Sequence, residues 1–158
     1  MIEYTAVIEP GSSIARDCYI GHFTLVRSGV VIGVHSEVRA HCFIAPNVWI
    51  GEDVAIMQFS NIGEGTTIFE QVYIGAMCMI TNTNRIKHGR DFELIKTPCA
   101  IGRAARIASR VTLLPGVVIG ENALIGAGSL VTKDIPARQV WMGHPARYVR
   151  DVPEEEIL

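Results

Sequence analysis

The sequence predicts an all-β chain wound into a parallel coil of triangular cross-section, and three observations carry that reading. An aliphatic residue stands at every sixth position: Ile8, Ile14, Ile20, Val26, Ile32, Val38 and Ile44 open a ladder that runs without a slip to Ile80. Four places after most rungs comes a small or β-branched residue, as at Thr24, Val30, Ser36, Cys42, Val48 and Ser60. Gly follows many rungs directly, as in Ile20-Gly21, Ile32-Gly33 and Ile74-Gly75, and is read as relieving crowding at a place where the backbone takes positive φ. A period of six fits neither the 3.6 of an amphipathic helix nor the 2 of a half-buried strand. It fits a short strand plus a corner, with one large side chain per unit pointing inward. Three units then make a turn, so residues 18 apart stack, as do Ile8, Val26, Ile44, Ile62 and Ile80. At about 4.8 Å per turn the prism is roughly 30 Å long.

Taken in order, residues 1–7 are a lead-in edge strand and 8–80 an uninterrupted coil. Residues 81–94 break the register and read as a loop leaving the prism; Arg85, Lys87, His88 and Arg90 give it a basic character absent from the coil. Loops on a rigid scaffold are where functional groups concentrate. If Ile95 is the next rung, nine residues have been added, and the coil then runs over 95–131 through Ile101, Ile107, Leu113, Ile119, Ile125 and Val131. Residues 132–158 lose the period. Pro136 and Gly143-His144-Pro145 punctuate turns, and Asp151-Val152-Pro153-Glu154 reads as the capped start of a short helix. This tail is expected to cover the last coil, whose strand edges would otherwise be unpaired. The whole of 1–158 reads as one domain.

The repeat resembles the hexapeptide-repeat proteins, whose fold is a left-handed parallel β-helix; the handedness comes from the resemblance and not from the period. A second resemblance lies in the tail. Ile125-Gly126-Ala127-Gly128-Ser129-Leu130-Val131-Thr132-Lys133-Asp134-Ile135-Pro136, followed by Gly143-His144-Pro145-Ala146-Arg147, is similar to the closing signature of hexapeptide acyltransferases that use acetyl-CoA. In that family the pantetheine arm lies in a groove between two subunits of a trimer, and basic tail residues meet the phosphates. Carried over, the cofactor-binding candidates are Ser109, Ala127, Thr132, Lys133, Arg147 and Arg150, in a homotrimer. Phosphates call for Lys and Arg donors, which agrees.

The resemblance implies attack by an amine or hydroxyl on a thioester, which is helped by a proton acceptor near neutrality. His88 matches the inserted-loop histidine of hexapeptide acetyltransferases acting on galactosides, maltose or xenobiotics. Ile80-Thr81-Asn82-Thr83-Asn84-Arg85, with Glu93-Leu94-Ile95-Lys96-Thr97-Pro98-Cys99-Ala100-Ile101-Gly102, looks closest to N-acetyltransferases of UDP- or dTDP-linked amino sugars. There an Asn and an Asn-Pro-Arg engage the sugar nucleotide. Asn82 is the matching Asn, and Asn84 and Arg85 match when the intervening residues are deleted. The expectation is therefore acetyl transfer from acetyl-CoA to an amino sugar, with His88 and Asn82 catalytic and Asn84, Arg85 and Arg90 on the substrate. His88 is read either as base or as substrate contact. The alternatives are O-acetylation of a sugar or other small acceptor, a zinc protein like the γ-type carbonic anhydrases, and a non-catalytic coil. His35 and His41 are six apart, not the five that the zinc family pairs, and no metal is expected.

Composition narrows the field. No apolar run approaches the roughly 20 residues of a membrane span, and the first residues lack a signal peptide's basic and apolar regions. A net charge of −2 gives no electrostatic case for nucleic acid or an anionic membrane. All four cysteines (Cys18, Cys42, Cys78 and Cys99) fall in the small-residue slot and read as buried hydrophobes, consistent with a reducing cytoplasm.

Overall fold

The computed structural model describes residues 1–158. Each six-residue unit becomes a two-residue strand and a corner, from β1 (Val7–Ile8) and β2 (Ser13–Ile14) through β13 (Met79–Ile80), then β14 (Ala100–Ile101) to β19 (Leu130–Val131). The strands collect into three parallel sheets. The seven-stranded sheet runs β1-β4-β7-β10-β13-β16-β19, and the six-stranded sheet holds β2, β5, β8, β11, β14 and β17. The third holds β3, β6, β9, β12, β15 and β18, and is extended to eight strands by the tail. The result is the left-handed parallel β-helix, a triangular prism. Pairing joins residues 18 apart, as in Val7 with Leu25 and Ile8 with Val26.

Alternation within each two-residue strand sends the rung inward and its predecessor outward. The rungs from Ile20 to Ile80 and from Ile101 to Val131 are at most 1% exposed. Ile8 and Ile14, on the open first coil, are only partly buried. The small residues fill the corners, and several of their polar members donate to the next coil: Thr24 Oγ1 to Arg39 O at 2.7 Å, Ser36 Oγ to Gly51 O at 2.8 Å and Cys42 Sγ to Met57 O at 3.2 Å. All four cysteines are free and buried, as expected, and burial pushes the Cys42 thiol up to about 11.

Positive φ is not at the glycine after the rung. It lies two residues further on, at Asp17 (60°), Phe23 (57°), His35 (59°), His41 (59°) and their equivalents in successive units. The glycine after the rung answers to crowding, as expected. A Cβ on Gly33 would stand 2.5 Å from the carbonyl carbon of Gly51 in the next coil.

The rung expected at Ile95 is also corrected. Ile95 is 71% exposed, and the coil resumes with Cys99 in a corner and β14 at Ala100. The pairing offset rises from 18 to 33 across the loop (Thr67 with Ala100), so the loop adds 15 residues, not nine. At the other end the chain shortens the last coil. β20 (Gln139–Gly143) pairs with β18 at an offset of 16, which puts Trp141 opposite Ile125 as a final, 8% exposed plug. β21 (Ala146–Asp151) then folds back antiparallel on β20 through a cis His144-Pro145 turn. The expected capped helix is a single 3-10 turn, Glu154–Glu156, with no side-chain cap, because Asp151 is still in β21. No helix is long and apolar enough to cross a membrane.

Candidate functional site

The loop leaves the corner between the seven- and six-stranded sheets on a braced neck. Thr81 Oγ1 donates to Leu113 O one coil on (2.7 Å), and Asn82 Nδ2 donates to Glu64 O one coil back (3.4 Å). Thr97 N–H returns to Asn82 O at 2.7 Å, and Thr83 forms an antiparallel bridge with Lys96. Lys96 Nζ meets the Glu64 carboxylate at 2.5 Å. Asn82 is thus held at the root by the preceding coil and by the returning strand of the loop, with Thr83 Oγ1 on its Oδ1 at 3.2 Å.

Beyond the neck the side chains stand in solvent. The Arg85 guanidinium lies 3.7 Å from the Phe92 ring centroid, a cation–π contact that leaves its donors usable. Arg90 turns inward to brace the loop, its Nη1 donating to His88 O at 2.9 Å. The His88 ring is exposed and takes part in no hydrogen bond or ion pair, and Asn84 is likewise exposed. Ile86 and Ile95 are 85% and 71% exposed, an apolar surface at odds with a merely solvated protrusion.

The cofactor-binding candidates fall into three groups. Thr132 and Lys133 follow β19 at the same corner as the loop, two coils or about 10 Å beyond Asn82. Lys133 Nζ folds back to 5.0 Å from the Trp141 ring. Ser109 and Ala127 stack at the corner between the eight- and seven-stranded sheets, where Gly128 N–H donates to Ser109 O at 3.0 Å. The outward face of the seven-stranded sheet, with Met79, Thr112 and Leu130, lies between these corners. Arg147 and Arg150 are exposed on β21, each with a guanidinium hydrogen bond to a neighbouring backbone carbonyl at 2.9 Å. The structure therefore gathers the loop, Asn82, Thr132 and Lys133 at one corner and leaves Ser109 and Ala127 one face away.

Glu64 was missed by sequence reading. Its signal was available, since it stands 18 residues before Asn82 and so directly beneath it. His35 and His41 occupy successive corners, His35 beside Asp53 (3.6 Å) and His41 stacked on Phe59 (4.9 Å), so one chain does not aim them at a common point.

Residues 98–133 match the family described as bacterial transferase hexapeptide (six repeats). The chain is 32% identical over 132 residues to the galactoside O-acetyltransferase of Escherichia coli K12, covering 72% of this chain and 65% of that protein. It thus spans just under two thirds of that relative's length. Among solved structures, the hexapeptide-repeat-containing acetyltransferase VCA0836 of Vibrio cholerae superposes with a TM-score of 0.60 at 21% identity, covering 90% of this chain and 72% of that one. A point mutant of AntD, an N-acyltransferase from Bacillus cereus in complex with dTDP and coenzyme A, gives 0.62 at 15% identity, covering 98% and 85%. At these identities the two structures establish the fold.

Proposed function

We propose that this chain, a hexapeptide-repeat β-helix protein by period, coil geometry and family match, is an acetyltransferase that draws on acetyl-CoA and delivers the acetyl group to the amine of a sugar, nucleotide-linked in our reading. The observation that carries it is the pairing at one corner of a loop braced through Asn82 with the Thr132-Lys133 end of the coil, about 10 Å away. The acceptor nitrogen attacks the thioester carbonyl, the C–N bond forms as the C–S bond breaks, and the nitrogen's proton passes to a base and then to the departing thiolate. His88, whose ring has no internal partner, is assigned either that proton or a contact to the acceptor. Asn82 orients the reacting end, while Asn84, Arg85 and Arg90 present amide and guanidinium donors suited to an anionic nucleotide. Lys133, Arg147 and Arg150 supply cations for the phosphates of CoA, and Ser109 and Ala127 a flat column for the pantetheine arm.

Because these groups occupy two corners and a hairpin of one prism, a single groove needs a second copy, and a homotrimer is proposed. The exposed Ile86 and Ile95 of the loop agree with a neighbour there. Four buried free thiols suit a reducing cytoplasm. A second reading, O-acetylation, is favoured by the galactoside O-acetyltransferase relative. The test is thiol release from acetyl-CoA over a panel of UDP- and dTDP-linked amino sugars, with galactosides and other hydroxyl-only sugars alongside. Turnover confined to amino sugars supports the first reading; turnover confined to hydroxyl acceptors replaces it with the second. No release and no acetyl-CoA binding would remove both.

A further inference from the structure

The outward face of the six-stranded sheet carries a trench of about 480 Å³, none of whose lining residues belongs to the loop or the tail. Its wall is Trp49, 41% exposed, which is backed outside the trench by Phe69 at 5.9 Å between ring centroids. Its floor is open because Gly51 follows the rung and bears no side chain. Its rim holds two carboxylates, Glu52 and Glu70, and no Lys, Arg or His lines it. The Glu70 carboxylate has one long ion pair, to Arg103 Nε at 3.6 Å, while Glu52 belongs to none of the ion pairs or side-chain hydrogen bonds of the chain.

An exposed indole, whose face attracts a cation, and an uncompensated carboxylate across an apolar trench select for positive charge. The apolar lining disfavours a cation that keeps its water, such as a bare ammonium, and favours one clothed in methyl groups. The volume lies within the ordinary range for small-ligand sites, roughly 300–1,000 Å³. We propose that this trench binds a free small organic cation of the quaternary-ammonium class, with Trp49 against the methyl groups and Glu52 as counter-ion.

Choline is the probe, and tryptophan emission of the full chain is the readout. Trp141, the other tryptophan, is 8% exposed, so a saturable change should come from Trp49 and vanish in Trp49→Leu. Glu52→Gln should weaken binding about fivefold, and 3,3-dimethylbutan-1-ol, the neutral isostere of choline, should bind about tenfold more weakly than choline. Equal binding of the isostere, an unaltered affinity in Glu52→Gln, or no saturation would overturn the proposal. So would resistance of Trp49 to acrylamide quenching in the free protein, which would mean that another copy covers the trench. Sedimentation with phosphatidylcholine vesicles without a response to free choline would reassign the face to a lipid head group and overturn the free-ligand assignment. No arm reads acetyl transfer, so failure here is distinct from failure of the proposed function.

Discussion

Two isoleucines on either side of the loop's root illustrate the two halves of this molecule. Ile80 ends the regular coil and is 1% exposed; Ile95 stands in the loop and is 71% exposed. In the interior of the coil a residue has a twin one turn above and one below, so the same side-chain placement and pairing recur from turn to turn. In the loop that redundancy ends at the neck: Thr81, Asn82 and Thr97 are tied to the coil, and the tip from Asn84 to Ile95 is held by Arg90, a turn and one ring contact. Chemistry that depends on reaching a substrate belongs in the second region, and tolerance of mutation should divide the same way.

The largest test of that division is stability. Ile62→Ala removes a fully buried rung and should cost about 3–4 kcal/mol in denaturant unfolding, whereas Ile95→Ala should change stability by less than about 0.5 kcal/mol. Comparable losses at both sites would mean that the loop is packed like the coil in solution. Activity should divide in the opposite sense. His88→Ala should lower kcat by about 100-fold if the imidazole is the base, with the unfolding midpoint unchanged. A near-normal kcat with raised acceptor KM would make it a substrate contact. Arg147→Ala should raise the acetyl-CoA KM about tenfold with kcat held, measured at saturating acceptor; an unchanged KM would take Arg147 out of the cofactor groove.

The coil was legible because its information is repeated. One misread unit is outvoted by its neighbours, which is why the rungs, the triangular stacking and the role of the cysteines could be read directly. Two errors came from places where a residue satisfies a different demand than its type suggests. Glycine after the rung relieves crowding as expected, since Gly33 is needed for close coil-to-coil approach, but the positive φ expected with it is carried by Asp17, Phe23 and His41. Ile95 sits in perfect six-residue register with Ile101 and Ile107, yet the bridge from Thr83 to Lys96 keeps the chain outside the prism until Cys99. The β20–β21 hairpin had no repeat to announce it, and its pairing depends on contacts with β18 that no local pattern encodes. For the candidate site, the sequence located the loop and the tail cations but not their placement. That Lys133 shares a corner with Asn82, and Ser109 does not, follows only once the 15-residue insertion is counted correctly.

The smallest effect separates the regions by how they treat ionisable groups. The loop leaves its charges in water, while the coil holds thiols in the dry corner column where Thr24 and Ser60 also sit. Burial raises the Cys42 thiol from 9.0 to about 11, and Cys78 and Cys99 shift the same way for the same reason. Below pH 9 the thiol is neutral in both folded and unfolded chains and contributes no pH dependence. Between about 9 and 11 the unfolded chain ionises while the folded chain does not, so stability falls as pH rises; above 11 both ionise and the slope ends. Cys42→Ser keeps a donor for Met57 O, as Ser60 does for Gly75 O in the next coil, and removes the titration. The wild-type chain should therefore lose about 1 kcal/mol relative to Cys42→Ser between about pH 8 and pH 10 in parallel urea unfolding. Parallel curves across that window would show that the corner column admits water, and the contrast between a dry, redundant coil and a wet, singular loop would have to be given up at that corner.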